Sequence, residues 1–250
     1  MPRFSEKFRK FAFMSHTPTL YLFPVPMGDA APAAVLPATN IELLAGIRYF
    51  VVENIRSARR FLRAAVPTIV IDDLEFTELS EHTRREDVAA MLAPMEAGHD
   101  IGVVSEAGCP AVADPGSDLV AAAQRRGFRV VPLVGPSSII LSLMASGFNG
   151  QSFSFHGYLP IDAAPRTRAI KDMEREARSR RRHTSIFIET PYRNNRLIDE
   201  LSRTLSADTL LCVASDINGS RESIITLPAG KWRSRSDDYG KIPTIFLIGS

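Results

Sequence analysis

Short apolar runs alternate with amphipathic segments between residues 19 and 133, and this alternation constrains the fold more than any other feature. Strands of four to eight residues separated by helical patterns are typical of a parallel sheet covered by helices. The sequence therefore predicts an α/β fold with a mainly parallel sheet in this half. The predicted strands are TLYLFPV, YFVVE, PTIVIDD, DIGVV and FRVVPLV.

Capping residues mark the helices between these strands. Gly98 and Gly127 each follow a helical pattern, as glycines at helix C-termini do. REDVAAMLAPMEAG is predicted to form one helix ending at Gly98. Ser117 is predicted to be the N-cap of the helix SDLVAAAQRRG.

The second half has more Ser-, Thr-, Ile- and Phe-rich strands and fewer helices between them, which indicates a second α/β domain with some antiparallel pairing. Its strand candidates are SFSFHGYLP, TSIFIET, TLLCVAS, ESIITL and PTIFLIG. A chain of 250 residues suits two modest domains. We predict a flexible basic arm at residues 1–16, an N-terminal domain at 17–134 and a C-terminal domain at 135–250.

Composition narrows the functional classes. The two cysteines lie far apart, which argues against a disulfide framework and for a reducing compartment. No CxxC or HExxH pattern occurs, so we expect no metal site. No apolar run reaches the roughly 18 residues of a membrane-spanning helix, and the charged N-terminus does not resemble a signal peptide. We expect a cytoplasmic enzyme that does not contact a membrane.

The stretch SEAGCPAVADPGS, at residues 105–117, follows the predicted strand DIGVV and is rich in glycine and proline. Gly108 and Gly116 permit positive φ, and Pro110 and Pro115 stiffen the chain. Such a loop offers main-chain groups to a ligand at close range. It matches neither the GxxxxGK[ST] nor the GxGxxG phosphate-binding pattern. Asp114 is interpreted as the acceptor of an Asx-type turn.

Five ordered motifs resemble the tetrapyrrole methylase superfamily, and within it the branch that methylates a cytidine ribose 2′-oxygen of small-subunit ribosomal RNA. The motifs are the loop PVPMGDA, SEAGCPAVADPG, PLVGPSS, SFSFHGYLP and SIFIETPYR, and the resemblance runs from Thr19 to Gly249. It implies two α/β domains with S-adenosylmethionine (SAM) in a cleft between them, and a homodimer.

The resemblance also implies a set of cofactor-binding residues, all of them uncharged. Small residues and main-chain carbonyls can surround a cationic sulfonium without a competing positive charge. The implied residues are Met27, Gly28, Ala107, Gly108, Cys109, Val112, Ser137, Ser138, Ile188, Ala214 and Thr244.

The acceptor side is where this sequence departs from the family pattern. The family has AEDTR where this chain has VENIR, so Glu53 and Arg56 are kept while Asn54 replaces an acid that could act as a base. In FIETPYR the chain keeps Glu189 and Arg193. We expect Glu53, Arg56, Glu189 and Arg193 to be the catalytic, acceptor-positioning residues, with a solvated ion pair at a strand end as the alternative for Glu53 and Arg56.

Two basic segments, the run Arg178–Arg182 and the N-terminal arm, are the candidates for contact with RNA. Three functions remain open on the sequence. The first is methylation of a ribose 2′-oxygen of ribosomal RNA. The second is methylation of a small molecule by the same fold. The third, motivated by Asn54, is a non-catalytic protein that binds SAM or RNA.

Overall fold

The computed structural model describes residues 16–80, 82–179 and 181–250, without the side chain of Arg85. Contacts divide the chain into two compact units. Among the described residues, the first contains 16–23, Ala38–Glu106 and Pro110–Val134. The second contains Pro24–Pro37, Ala107–Cys109 and Gly135–Ser250. The second unit thus includes two short segments of the first half, and both carry predicted cofactor residues.

The first half of the chain forms a five-stranded, all-parallel sheet in the order β3-β2-β4-β1-β5. This confirms the predicted parallel α/β organisation. The strands are β1 (Thr19–Phe23), β2 (Tyr49–Val52), β3 (Glu75–Glu78), β4 (Ile101–Val104) and β5 (Arg129–Pro132). The α-helices are α1 (Pro32–Val35, in the second unit), α2 (Ala38–Gly46), α3 (Ile55–Ala65), α4 (Arg85–Val88), α5 (Ala93–Glu96) and α6 (Gly116–Arg125).

Three local predictions in this half are wrong. PTIVIDD is not a strand: Ile71–Asp73 forms a 3-10 turn, and the edge strand is the polar EFTE of β3. An edge strand with exposed faces needs no apolar run, so the hydrophobic pattern selected the wrong segment. REDVAAMLAPMEAG is divided into α4, a 3-10 turn at Ala89–Leu92, and α5, where Pro94 lies in the first turn.

The third error concerns the start of α6. The helix begins at Gly116 and its N-cap is Pro115, so Ser117 lies inside it. The carboxylate of Asp114 accepts a hydrogen bond from Gly116 N at 2.7 Å and thereby satisfies the first free N–H of the helix. Gly98 and Gly127 have φ of +92° and +73°, as predicted for residues that terminate helices.

The second half forms a mixed sheet in the order β6-β7-β10-β8-β9. Only β6 and β7 are parallel, and the other neighbours are antiparallel, as predicted. The strands are β6 (Phe153–Tyr158), β7 (Thr184–Ile188), β8 (Leu210–Ser215), β9 (Ser223–Pro228) and β10 (Thr244–Gly249). The α-helices are α7 (Ser138–Ser146), α8 (Ala163–Ala177), α9 (Asn194–Thr204) and α10 (Ala229–Trp232).

Alternation along β10 divides the core of the second unit between the two faces of its sheet. Phe246 and Ile248 belong to a cluster with residues of α8, α9 and α10. Ile245 and Leu247 belong to a second cluster, which contains Leu143 of α7. Met27, from the segment that follows β1, is also part of this second cluster. The loop after β1 is therefore anchored on the α7 face of the sheet.

Candidate functional site

Three loops that carry predicted cofactor residues meet in the second unit. Val25 and Gly108 exchange backbone hydrogen bonds in both directions, at 2.8 Å and 3.0 Å. This antiparallel bridge joins the loop after β1 to the stretch that follows β4. The thiol of Cys109 donates to Pro136 O at 3.3 Å and so joins that stretch to the loop before α7.

Close backbone packing fixes the same junction. A Cβ atom at Gly135 would lie 2.4 Å from Cβ of Pro24, a separation that side chains do not adopt. Glycine at 135 therefore lets the segments that contain Pro24 and Pro136 approach each other. Residues 24–28, 107–109 and 135–138 form what we call the three-loop junction.

Gly108 has an unusual place in the three-loop junction. Its φ is +73°, and a Cβ built on it would have Pro136 O at 3.9 Å and Met27 Sδ at 4.0 Å as its nearest neighbours. A side chain at 108 would thus occupy a space bounded by a carbonyl oxygen and a thioether sulfur. Those are groups that can lie beside a cationic, partly apolar ligand, so this cradle fits SAM.

Gly28 is explained by packing within the protein. Its φ is +69°, and an added Cβ would lie 2.9 Å from Oδ1 of Asp216 and 3.2 Å from Cα of Gly219. Next to it, Asp29 accepts hydrogen bonds from the backbone N–H and the hydroxyl of Ser220 at 2.8 Å and 2.7 Å. Gly28 thus lets the loop after β1 contact the loop after β8.

Two predicted cofactor residues flank one position of the sheet. Ile188, the last residue of β7, and Ala214 of β8 both pair with Ile245 on β10. Ala214 is a member of the apolar cluster that contains Met27, and Ile188 packs against that cluster. Thr244 begins β10, and its hydroxyl donates to Ile242 O at 2.9 Å.

The remaining cofactor candidates are more exposed. Ser137 is the N-cap of α7 and Ser138 is the first residue of that helix, and both are half-buried. Ala107 is exposed. Val112 is 49% exposed and belongs to the first unit, apart from the other ten residues. The second unit thus contains every predicted cofactor residue except Val112.

Cys109 is held as a neutral thiol. Burial raises its pKa, and a hydrogen bond with Ser137 acts in the opposite direction without outweighing burial. A protonated thiol is a poor nucleophile. Cys109 therefore has the properties of a residue that packs and donates a hydrogen bond.

Glu53 and Arg56 lie in the first unit, where β2 gives way to α3. The Oε2 atom of Glu53 accepts a hydrogen bond from the backbone N–H of Glu106 at 3.1 Å. Glu53 and Asp114 line a narrow pocket at the carboxyl ends of β2 and β4. Arg56 lies in the first turn of α3 and is exposed. In an open parallel sheet, this edge is where ligands bind.

Asn54 has a structural role at this edge. It is the N-cap of α3, and its side-chain oxygen accepts a hydrogen bond from Ser57 N at 3.0 Å. Asparagine and aspartate cap helices about equally well. The replacement of the family's acid by Asn54 therefore preserves the start of α3 while removing a negative charge.

Asp114 organises the rest of the glycine- and proline-rich stretch, which confirms the Asx-type turn. Its Oδ1 atom accepts hydrogen bonds from Ala111 N and Gly116 N, both at 2.7 Å. Ala111 and Ala113 have φ of 66° and 59°, a conformation that is costly for alanine. Burial raises the pKa of the Asp114 carboxyl, against the effect of its two backbone hydrogen bonds.

Glu189 and Arg193 form an ion pair within the second unit. Their side chains are 2.9 Å apart, and that of Glu189 is only 10% exposed. Oε1 of Glu189 also accepts hydrogen bonds from the backbone N–H and hydroxyl of Thr190. Arg193 donates to the same hydroxyl at 3.1 Å. These contacts rigidify the turn that follows β7.

The basic segments predicted to contact RNA differ in whether their charges are already paired within the protein. Arg178 pairs with Asp208 and donates to Thr209, so its charge is already matched within the protein. Arg182 donates to the Ser250 hydroxyl at 3.3 Å, and Arg181 is exposed. Arg180 and residues 1–15 of the N-terminal arm lie outside the described residues.

One face of α3 carries four exposed arginines, of which only Arg56 was predicted to be functional. Arg56, Arg59, Arg60 and Arg63 occur at positions i, i+3, i+4 and i+7, and with Ile55 they line a shallow surface depression. The signal in the sequence was the helical spacing of four arginines in a segment without any acid.

The described parts of the chain contain neither a membrane-spanning helix nor a cluster of metal-ligating side chains. No helix there is both long and apolar enough to cross a membrane. No group of three or more His, Cys, Asp or Glu side chains among residues 16–80, 82–179 and 181–250 is arranged to hold a metal ion.

Two solved structures have folds similar to that of this chain. The chain resembles the methyltransferase CobJ with a TM-score of 0.61, covering 94% of this chain and 95% of that one at 16% identity. It resembles cobalt precorrin-4 methyltransferase (CbiF) with a TM-score of 0.59, covering 92% and 94% at 15% identity. The chain therefore has the same two-sheet α/β fold as these two proteins.

Sequence comparison then gives the family. The family described as Tetrapyrrole (Corrin/Porphyrin) Methylases matches residues 40–231, and the chain belongs to it. The chain is therefore a SAM-dependent methyltransferase, which confirms the predicted family and enzyme class.

Relatives named "Ribosomal RNA small subunit methyltransferase I" are similar along most of the chain. The protein from Vibrio cholerae is 27% identical over 237 residues, which cover 92% of this chain and 77% of the relative. The one from Pseudomonas aeruginosa is 29% identical over a region that covers 84% of this chain and 70% of the relative. The one from Escherichia coli O157:H7 is 29% identical, covering 92% and 77%.

Proposed function

We propose that this chain transfers a methyl group from SAM to a ribose 2′-oxygen of small-subunit ribosomal RNA. The observation that carries the proposal is the three-loop junction, whose predicted cofactor residues are uncharged and come together in one unit. The names of the similar proteins from V. cholerae and E. coli support RNA as the acceptor.

The proposed cofactor residues would hold SAM by shape and main-chain polarity. SAM supplies an electrophilic methyl group on a sulfonium sulfur. Met27, Ile188 and Ala214 offer apolar surface, while the backbone at Gly108 and the Pro136 carbonyl offer polar groups without a positive charge. Ser137 and Ser138 add hydroxyls at the start of α7. The other proposed contacts are Gly28, Ala107, Cys109, Val112 and Thr244.

The acceptor residues are proposed to position the ribose. A ribose hydroxyl is a weak nucleophile, and a nearby carboxylate that accepts its proton accelerates the reaction. Glu53 is the proposed carboxylate because it lies at the carboxyl end of β2 in a pocket with Asp114. Arg56 is proposed to bind an adjacent phosphate, and Glu189 and Arg193 are proposed to be acceptor-positioning residues on the rigid turn that follows β7.

We further propose a cytoplasmic homodimer whose domains divide near residue 134, with Arg178–Arg182 and the N-terminal arm as auxiliary RNA contacts. Exposed apolar side chains in the second unit support self-association. Ile140 and Met144 lie one turn apart on α7 and are 46% and 73% exposed. Sedimentation of the full chain tests the dimer, which is contradicted by a monomer at micromolar concentration.

Calorimetric titration with SAM tests the cofactor site through a matched pair of variants. Gly108→Ala should weaken SAM binding at least about tenfold because its Cβ would occupy the space beside Pro136 O and Met27 Sδ. Gly127→Ala is the control, since Gly127 has the same φ of +73° and nothing within 4 Å of an added Cβ. Equal SAM affinity in the two variants contradicts the proposed site.

A small-molecule acceptor is the alternative, and its support is the fold it shares with the cobalt precorrin-4 methyltransferase. Under this alternative, label from methyl-labelled SAM would enter a low-molecular-weight fraction of a cell extract. A protein that binds SAM and labels nothing would be the non-catalytic paralogue.

A further inference from the structure

The arginine face of α3, formed by Arg56, Arg59, Arg60 and Arg63, is unusual for its electrostatics. The other side of the helix packs inward through Ala58, Phe61, Leu62 and Ala65. The eleven residues of α3 include four arginines and no acid. The helix therefore concentrates positive charge on the side that faces water.

Several arginines in or beside other helices are paired with an acid three or four residues away. Arg84 pairs with Asp87 at 2.9 Å, Arg203 with Asp199 at 2.8 Å, and Arg175 with Asp172. Within the described residues, by contrast, no ion pair includes an arginine of α3. These arginines are not part of the salt-bridged surface found elsewhere on the molecule.

The spacing of the four arginines is unfavourable for the helix by itself. Like charges three or four positions apart repel each other, and α3 contains four such pairs. Arg56 also lies in the first turn, where the helix dipole disfavours a cation. A polyanionic partner would remove both penalties, because its charges would lie between the arginines.

Two contacts hold parts of this face in place. The guanidinium of Arg59 lies over the ring of Phe76 at 5.3 Å from the centroid. Arg60 donates to the Ser57 hydroxyl at 3.4 Å, and that hydroxyl donates to Glu106 at 3.1 Å. The arginine face thus begins beside the residues proposed to position the acceptor and is connected to the loop that follows β4.

We propose that the arginine face of α3 binds the phosphate backbone of the RNA acceptor and aligns the target nucleotide with the edge where Glu53 and Arg56 lie. This inference rests on the proposed function. From Arg56 to Arg63 the helix rises about 10 Å, enough for the side chains to reach two or three consecutive phosphates of one strand. The arginine face would recognise the charge and the spacing of the RNA phosphates, and it would make no contacts with the bases.

The test compares triple variants of the full chain, with Arg56 left unchanged. Arg59→Gln, Arg60→Gln and Arg63→Gln are combined in one variant. The matched control combines Arg125→Gln, Arg168→Gln and Arg196→Gln, which remove the same charge from exposed positions on α6, α8 and α9. Binding to unmethylated small-subunit ribosomal RNA is measured over a range of salt concentrations, and SAM affinity is measured in parallel.

The α3 variant should bind the RNA at least about tenfold more weakly than the wild type, with the slope of log K against log salt reduced by about 2. The control should retain the wild-type slope, and both variants should retain wild-type SAM affinity. A lysine version of the α3 variant should regain the slope because phosphate attraction needs only the charge.

Two results would overturn the inference in different ways. If the α3 variant binds RNA as tightly as the control does, the arginine face of α3 is not the RNA-binding surface, whereas the proposal that RNA is the acceptor is unaffected. If the wild type binds SAM but shows no measurable binding to unmethylated small-subunit ribosomal RNA, the RNA acceptor is wrong as well. Preferential binding of the wild type to anionic vesicles over RNA would likewise exclude RNA as the partner of this face.

Discussion

Replacing Glu174 by glutamine should destabilise the protein by about 3 kcal/mol at pH 7. Glu174 lies on α8 and is 6% exposed. It accepts hydrogen bonds from Thr209 Oγ1, from Ser206 N at 2.7 Å and from Lys171 Nζ at 3.1 Å. Burial acts to raise its pKa, but these hydrogen bonds together outweigh burial and lower the pKa from 4.5 to about 2.

The magnitude follows from linkage. A carboxyl with a pKa of about 2 in the folded state and an ordinary value of 4.5 stabilises that state by about 3 kcal/mol when ionised. Because the pKa is lowered by folding, this stability is present above pH 4.5 and is lost as the pH falls towards 2. By pH 3 less than half of it should remain.

Urea unfolding of the wild type and of Glu174→Gln at several pH values between 7 and 3 measures this contribution. The control is Glu176→Gln, which makes the same change at an exposed position of the same helix and should cost less than about 0.5 kcal/mol. A stability difference for Glu174→Gln that is below 1 kcal/mol at pH 7, or that does not narrow with acid, would refute the reasoning.

Two further predictions concern the loops around the site. Cys109 should react slowly with iodoacetamide at pH 8, because burial raises its pKa, and more slowly still with SAM present. Cys212 is the internal control and should not react, because burial raises its pKa to about 11. Labelling of Cys109 that SAM does not change would contradict its proposed position. Asn54→Ala should cost about 1 kcal/mol by removing the cap on Ser57 N, whereas Asn54→Asp should preserve stability. Equal unfolding midpoints for the two Asn54 variants would exclude the cap.

Much of the fold could be predicted because apolar runs reveal buried strands. The strands β1, β2, β4 and β5 lie within the predicted runs, and they form the predicted parallel sheet. The strand β3 was missed because an edge strand can be polar, as EFTE is. The broken helix after it shows that Pro94 outweighs an otherwise helical pattern.

The cofactor-binding residues of the candidate site could be predicted because they lie in sequence motifs. The residues on exposed surfaces were harder to predict because no motif marks them. The stretch at residues 105–117 could be selected because glycine and proline cluster there, and the family resemblance then implied Gly108 and Cys109 as cofactor residues within it. The pairing of Gly108 with Val25 joins residues 83 positions apart, and no local pattern predicts it. The other three arginines of the α3 face, Arg59, Arg60 and Arg63, were not predicted to be functional because a basic helix is ordinarily a solvated one. The sequence does not show which of its charges are paired.

Incubation with methyl-labelled SAM and small ribosomal subunits tests the central proposal most directly. We predict that the label enters the small-subunit RNA and, after alkaline hydrolysis, is recovered in an alkali-resistant dinucleotide, because a methylated 2′-oxygen cannot attack the adjacent phosphate. Label recovered only in mononucleotides would identify a base as the acceptor. Label found only in low-molecular-weight compounds, or in none, would contradict the proposed ribose methylation.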